Sequence, residues 1–77
     1  PSPFPFQRIG CDILGPLPAT ERGNRYVLVV VDHCTRWPEA LPLRLADSAT
    51  VIDALFREWF SRFGVPDELI SDRGTIF

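Results

Sequence analysis

Methionine and lysine are absent from these 77 residues, histidine occurs once, and cysteine only twice. Cys11 and Cys34 form no CxxC and no paired spacing, which argues against a disulfide framework and a structural zinc site. Both thiols are expected as buried or half-buried small apolar groups in a reducing compartment. All eight basic residues are arginine, and the formal net charge is −2. That balance differs from the strongly basic one of a general nucleic-acid binder. No stretch approaches the roughly 20 apolar residues of a membrane span, and no charged segment leads into an apolar run as in a signal peptide. The missing methionine and the apolar ending Thr75-Ile76-Phe77 create the expectation that both ends are cuts from a longer parent. A domain this short buries only about 60% of its unfolded-chain surface, so its stability is expected to be marginal.

What is present falls into elements. Residues 1–6, Pro-Ser-Pro-Phe-Pro-Phe, read as a proline-rich linker or extended arm. Residues 7–77 read as one truncated domain. Gln7–Leu14 alternates, with Ile9, Cys11 and Ile13 on one face and Arg8, Gly10, Asp12 and Leu14 on the other. Turn chemistry follows, from Gly15-Pro16 to Gly23-Asn24. Tyr26–Val31 is a β-branched run that predicts a strand buried on both faces. Trp37–Leu43 is a further extended segment, which Pro38 and Pro42 assign to an edge or a kink.

The apolar period then changes. Val51, Ile52, Leu55, Phe56, Trp59, Phe60 and Phe63 trace one helical stripe and are expected as core. Asp47 or Ser48 can cap its start, and Gly64 stands where a C′ glycine belongs. About 16 residues at 1.5 Å each give a helix of roughly 24 Å. A short strand, Glu68–Ser71, runs into Asp72-Arg73-Gly74. The order β-β-β-α-β predicts three antiparallel strands, a crossover helix and a fourth strand parallel to the first.

Two carboxylates occupy unusual places. Asp12 lies inside an apolar strand, where a charge is costly unless paired or bound to a cation. Asp72 ends a strand sixty positions later (72 − 12). A crossover can lay the last strand beside the first, so that both acids converge. Converging carboxylates repel and need a compensating charge. A hard divalent cation supplies it, as in phosphoryl transfer at a phosphodiester. Spacing alone leaves the bland alternatives open: a turn or cap residue for Asp72, a backbone hydrogen bond for Asp12.

The surrounding words are more specific. Asp12-Ile13-Leu14-Gly15-Pro16-Leu17-Pro18 resembles the segment that carries the first catalytic Asp in integrases of retroviruses and long-terminal-repeat retrotransposons. Tyr26–Asp32 and Thr35-Arg36-Trp37-Pro38-Glu39-Ala40 are similar to that family's second and third strands. Phe63-Gly64-Val65-Pro66 and Ile70–Phe77 resemble the segment around its second catalytic Asp. Four blocks in order cover most of the chain and lean toward the gypsy-like or retroviral branch.

The resemblance implies an RNase H-like α/β fold, present only in its N-terminal part. It implies a DD-E site binding Mg²⁺ or Mn²⁺, with Asp12 and Asp72 as catalytic metal ligands. It also implies 3′-end processing and strand transfer of DNA, a homo-oligomeric parent and a nuclear location. The third acid, a Glu, is expected beyond Phe77, so the fragment alone is expected to be inactive. The missing half is expected to cover the second sheet face, which the isolated piece would expose. The rival expectation is a decayed or domesticated remnant that serves as a non-catalytic interaction module. Asp32 is expected to be structural, His33 a surface or turn residue, and Glu58 solvated. Arg73 and Thr75 could reach substrate phosphate, or Arg73 could simply be exposed.

Overall fold

The structure is a computed structural model that describes residues 4–71 and the backbone of residues 74–75. Strands β1 (Arg8–Leu14), β2 (Tyr26–Asp32) and β3 (Pro38–Leu43) form an antiparallel meander. Helix α1 (Ser48–Leu55) continues through a π-helical segment (Phe56–Phe60) into a last turn, α2 (Ser61–Phe63). The chain then returns as β4 (Glu68–Ser71), parallel to β1, and β5 (Gly74–Thr75), antiparallel to β4. The sheet order is β3-β2-β1-β4-β5. The expected β-β-β-α-β order is present, with β5 as an addition.

One face of the sheet is finished. Ile9, Cys11, Leu28, Val30, Leu41, Leu43 and Leu69 project from it and bury against Val51, Ala54, Leu55, Trp59 and Phe60 of the helix. The opposite face carries Gly10, Asp12, Val27, Val29, Val31 and Ile70, and no helix covers it among the described residues. This corrects the two-sided burial expected of β2: Leu28 and Val30 are buried, whereas Val27, Val29 and Val31 are only half-buried. A β-branched run reports strand propensity, and the covering layer has to come from elsewhere in the fold. Ile13 shares the face of Ile9 and Cys11, as the alternation predicts, and is 38% exposed.

The helix begins where Asp47 accepts a 2.7 Å hydrogen bond from the Thr50 N–H, as a cap should. It ends at Gly64, whose φ of 82° is a conformation glycine adopts without steric cost. Phe56 departs from the expected stripe. It is 55% exposed, and Ala54 takes a buried place instead. A repeat of four residues overshoots a 3.6-residue turn. The wider π turn absorbs that excess and keeps Leu55, Trp59 and Phe63 aligned over the sheet, while Phe56 swings to the flank. There its ring meets Phe60 edge-on at 5.0 Å.

The proline-rich lead-in is more than an arm. Phe6 stacks on Phe63 at 4.2 Å and meets Trp59 edge-on at 5.8 Å. Its N–H donates to Asp32 Oδ1 at 2.8 Å. The other oxygen of Asp32 accepts from the Thr35 N–H at 2.9 Å and the Thr35 hydroxyl at 2.7 Å. One fully buried carboxylate therefore fixes both the entry to β1 and the turn between β2 and β3. Burial alone would raise its pKa. The Thr35 hydroxyl and the backbone N–H groups of Thr35, Phe6 and Cys34 outweigh that and hold it below the usual carboxylate range.

The edge strand β3 is punctuated as expected. Leu43 O accepts from Arg25 N and Trp37 O from Asp32 N, so the odd-numbered residues turn their backbone groups toward β2. Pro38 and Pro42 therefore fall at outward positions, where no ladder bond is lost.

Replacing Asp32 with Asn should cost about 2–3 kcal/mol, because an amide nitrogen would then face N–H donors left unsatisfied in the interior. In the native chain the lowered pKa makes the charged form part of the folded state. Its stabilisation is complete above the unfolded value of about 3.9 and is lost as pH falls through the lower folded value. Denaturant titration followed by tryptophan fluorescence reads both effects. Equal stability of native and D32N chains at neutral pH would refute the anchoring role.

Candidate active site

β1 is the strand from which the site is built, because it is paired on both edges, to β2 and to β4. Alternation sends Ile9 and Cys11 under the helix and Gly10 and Asp12 to the opposite face. Asp12 pairs across the ladder with Val29 and is exposed. The burial cost expected for its charge therefore does not arise: the strand is apolar on its helix-facing side only. Among the described residues, the Asp12 carboxylate forms no hydrogen bond and no ion pair, so its oxygens are unspent.

Two clefts meet at this residue. One, of about 460 Å³, opens on the helix-free face and is lined by Gly10, Asp12, Val29, Val31, His33, Arg36, Ile70 and Ser71. The other, also about 460 Å³, lies toward the start of the helix and is lined by Asp12, Ile13, Tyr26, Ser48, Val51, Ile52 and Ser71. Cys11, Asp12 and Ser71 border both. The parallel ladder explains why Ser71 arrives there. Arg8, Ile9 and Gly10 pair with Glu68, Leu69 and Ile70, and an Arg8–Glu68 ion pair of 2.6 Å pins the register on the open face.

Asp72, the second expected ligand, lies outside the described residues, as does Arg73. Ser71, the residue before Asp72, is described and borders both clefts with Asp12. Thr75 is described in its backbone alone, paired with Ile70. Among the described residues, no group of three or more His, Cys, Asp or Glu side chains is arranged to hold a metal ion. An exposed, unpaired carboxylate oxygen is nonetheless the donor a hard divalent cation takes.

The remaining candidates separate cleanly. Asp32 is the buried anchor described above and faces the helix. Glu58 is exposed on the helix, 3.6 Å from Arg57. Glu39 is engaged by Arg62 and by the Trp37 indole N–H, which together hold its pKa down. His33 lies in the β2–β3 turn, as expected, but also borders the open cleft. A Cβ on Gly10 would come within 2.9 Å of its Nε2. The sequence carried one sign of this contact, a glycine inside a strand, which marks close approach by another group.

With Asp12 beside the end of β4, the comparisons with known proteins become decisive. The model of the family described as "Integrase core domain" matches residues 3–77. This chain belongs to the integrase core family. Its sheet is the front part of an RNase H-like fold, with β4 returning parallel to β1. It is similar to the Gag-Pol polyprotein of Walleye dermal sarcoma virus, 42% identical over 52 residues, or 68% of this chain and 3% of that protein. It is also similar to a retrovirus-related Pol polyprotein from transposon 412 of Drosophila melanogaster, 33% identical over 70 residues, covering 91% of this chain and 6% of that one. An uncharacterized protein, K02A2.6 of Caenorhabditis elegans, is 42% identical over 71 residues, covering 92% of this chain and 5% of that protein. The chain thus spans about 3–6% of the length of these relatives. It is an integrase core fragment of retroviral or retrotransposon type. No helix among the described residues is long and apolar enough to cross a membrane.

The site's geometry is open to a chemical check. Burial pushes the Cys11 thiol up to about 12, so it stays protonated and unreactive at neutral pH. Cys34 lies half-buried in the β2–β3 turn. Alkylation at mildly alkaline pH, read by mass spectrometry, should label Cys34 first and Cys11 only on unfolding. Early labelling of Cys11 in the folded chain would mean that the wall beneath Asp12 is not closed.

Proposed function

We propose that this chain supplies the first two acidic positions of a metal-dependent DNA polynucleotidyl transferase, acting in the nucleus on retroelement ends and target DNA. The supporting observation is the register at the site. Gly10 and Ile70 are parallel partners, and Asp12 and Asp72 each follow two residues later. In this reading Asp12 and Asp72 together hold Mg²⁺ or Mn²⁺. The bound ions would polarise the phosphodiester and activate the attacking oxygen. The part seen in the described residues is to present the Asp12 carboxylate from a paired strand, with its oxygens free of competing donors among the described residues. The third acid would come from outside these 77 residues, in an oligomeric parent that completes the cleft.

Mn²⁺ titration, followed by the electron paramagnetic resonance signal of the free ion, tests the pairing directly. The native chain should bind weakly, with a dissociation constant on the order of millimolar, because two carboxylates leave most coordination positions to water. Asp12→Asn and Asp72→Asn should each abolish that binding. Unchanged binding in both variants would defeat the shared-site reading.

A further inference from the structure

The open cleft beside Asp12 has a second polar wall that the two-carboxylate reading leaves without a role. His33 and Arg36 line it from the β2–β3 turn, opposite the end of β4. Neither side chain forms a hydrogen bond or an ion pair among the described residues. His33 sits against Gly10, where a single added methyl group would approach its Nε2 to 2.9 Å. Gly10 is two positions from Asp12 on the same face of β1, or about 6–7 Å along the strand. Arg36 holds a φ of 65°, a region a non-glycine residue rarely occupies. Between this wall and Asp12 the cleft floor is apolar: Val29, Val31 and Ile70.

We propose that Arg36 and His33 form a seat for a DNA phosphate beside Asp12. The inference rests on the metal-dependent reading above and names where the nucleic-acid backbone lies against this chain. A phosphodiester is repelled by a bare carboxylate, so it needs a cationic partner of its own on the far side of the cleft. The Arg36 guanidinium offers planar paired donors that match two phosphate oxygens. The imidazole of His33 offers at least one N–H in either protonation state. The apolar floor competes for none of these donors. Gly10 is then a positioning residue, because its lack of a side chain is what admits the imidazole to the cleft.

The test is the affinity of the chain for a short fluorescent DNA duplex, measured by anisotropy across a salt series, with Mn²⁺ binding measured on the same proteins. Arg36→Gln should weaken duplex binding about 3- to 10-fold and flatten the salt slope by about one phosphate contact. His33→Gln and Gly10→Ala should each weaken it by about 2- to 3-fold. Arg22→Gln, an exposed arginine in the β1–β2 loop, serves as the control and should change little. Undetectable duplex binding by the native chain, or equal losses in Arg22→Gln and Arg36→Gln, overturns the seat. Mn²⁺ binding that persists while Arg36→Gln leaves DNA affinity unchanged refutes the seat and leaves the metal reading standing. An Arg36-dependent affinity without Mn²⁺ binding in the native chain supports the seat and refutes the metal reading.

Discussion

The carboxylate of Asp32 ties together parts of the chain that have little else in common. It is charged, fully buried and met by donors from two directions. On one side it closes the turn that sends β2 into β3. On the other it holds Phe6 in a positive-φ conformation that a bulky residue does not adopt unaided. The Phe6 ring then lies on Phe63 and against Trp59, which clamps the far end of the helix to the sheet. A charge inside a small core is expensive unless each lone pair finds a donor. Here the donors belong to elements that would otherwise drift, so the cost and the organisation are one device.

The sheet's two faces divide the work. The helix-facing side carries nearly all of the apolar packing; among its ionisable groups described, Asp32 is saturated with donors and Cys11 is held protonated by burial. The open side carries Asp12, His33 and Arg36, and its valines are only half-covered. Reactive groups can sit on that side without endangering the core, because β1 is held on both edges by ladders and below by the helix. Asp12 is placed by its pairing with Val29, two residues past the last β4 pair at Gly10, with no bond spent on its carboxylate among the described residues. That combination of rigid placement and unspent oxygen is what a ligand for a hard cation needs.

Much of this was legible in the residues. Alternation around Ile9 and Cys11, prolines at 38 and 42, the change of period at Val51 and the glycine at 64 each carry a local cause that acts over a few residues. They located three strands, the helix, its end, and the parallel return of β4. Four readings needed three-dimensional information. Tyr26–Val31 could not announce that only one face would be covered. Phe56 kept the stripe in sequence but lost its place to a π turn. Phe6 looked like linker because its partner, Asp32, is distant in the chain. The cost assigned to Asp12 assumed an apolar strand on both sides. In each case the missing quantity was a contact between segments that sequence periodicity does not encode. Asp72 was legible from its place at the end of a strand and, more specifically, from the pattern resemblance, and it lies outside the described residues.

The prolines of β3 have an effect beyond marking an edge. With the odd-numbered residues turned toward β2, only positions 38, 40 and 42 could offer outward N–H groups, and two of the three have none. The missing donors disfavour extension of the ladder on that side by another copy of the chain or by a stray extended peptide. Any copy that associates with this protein is steered away from strand-to-strand addition at β3.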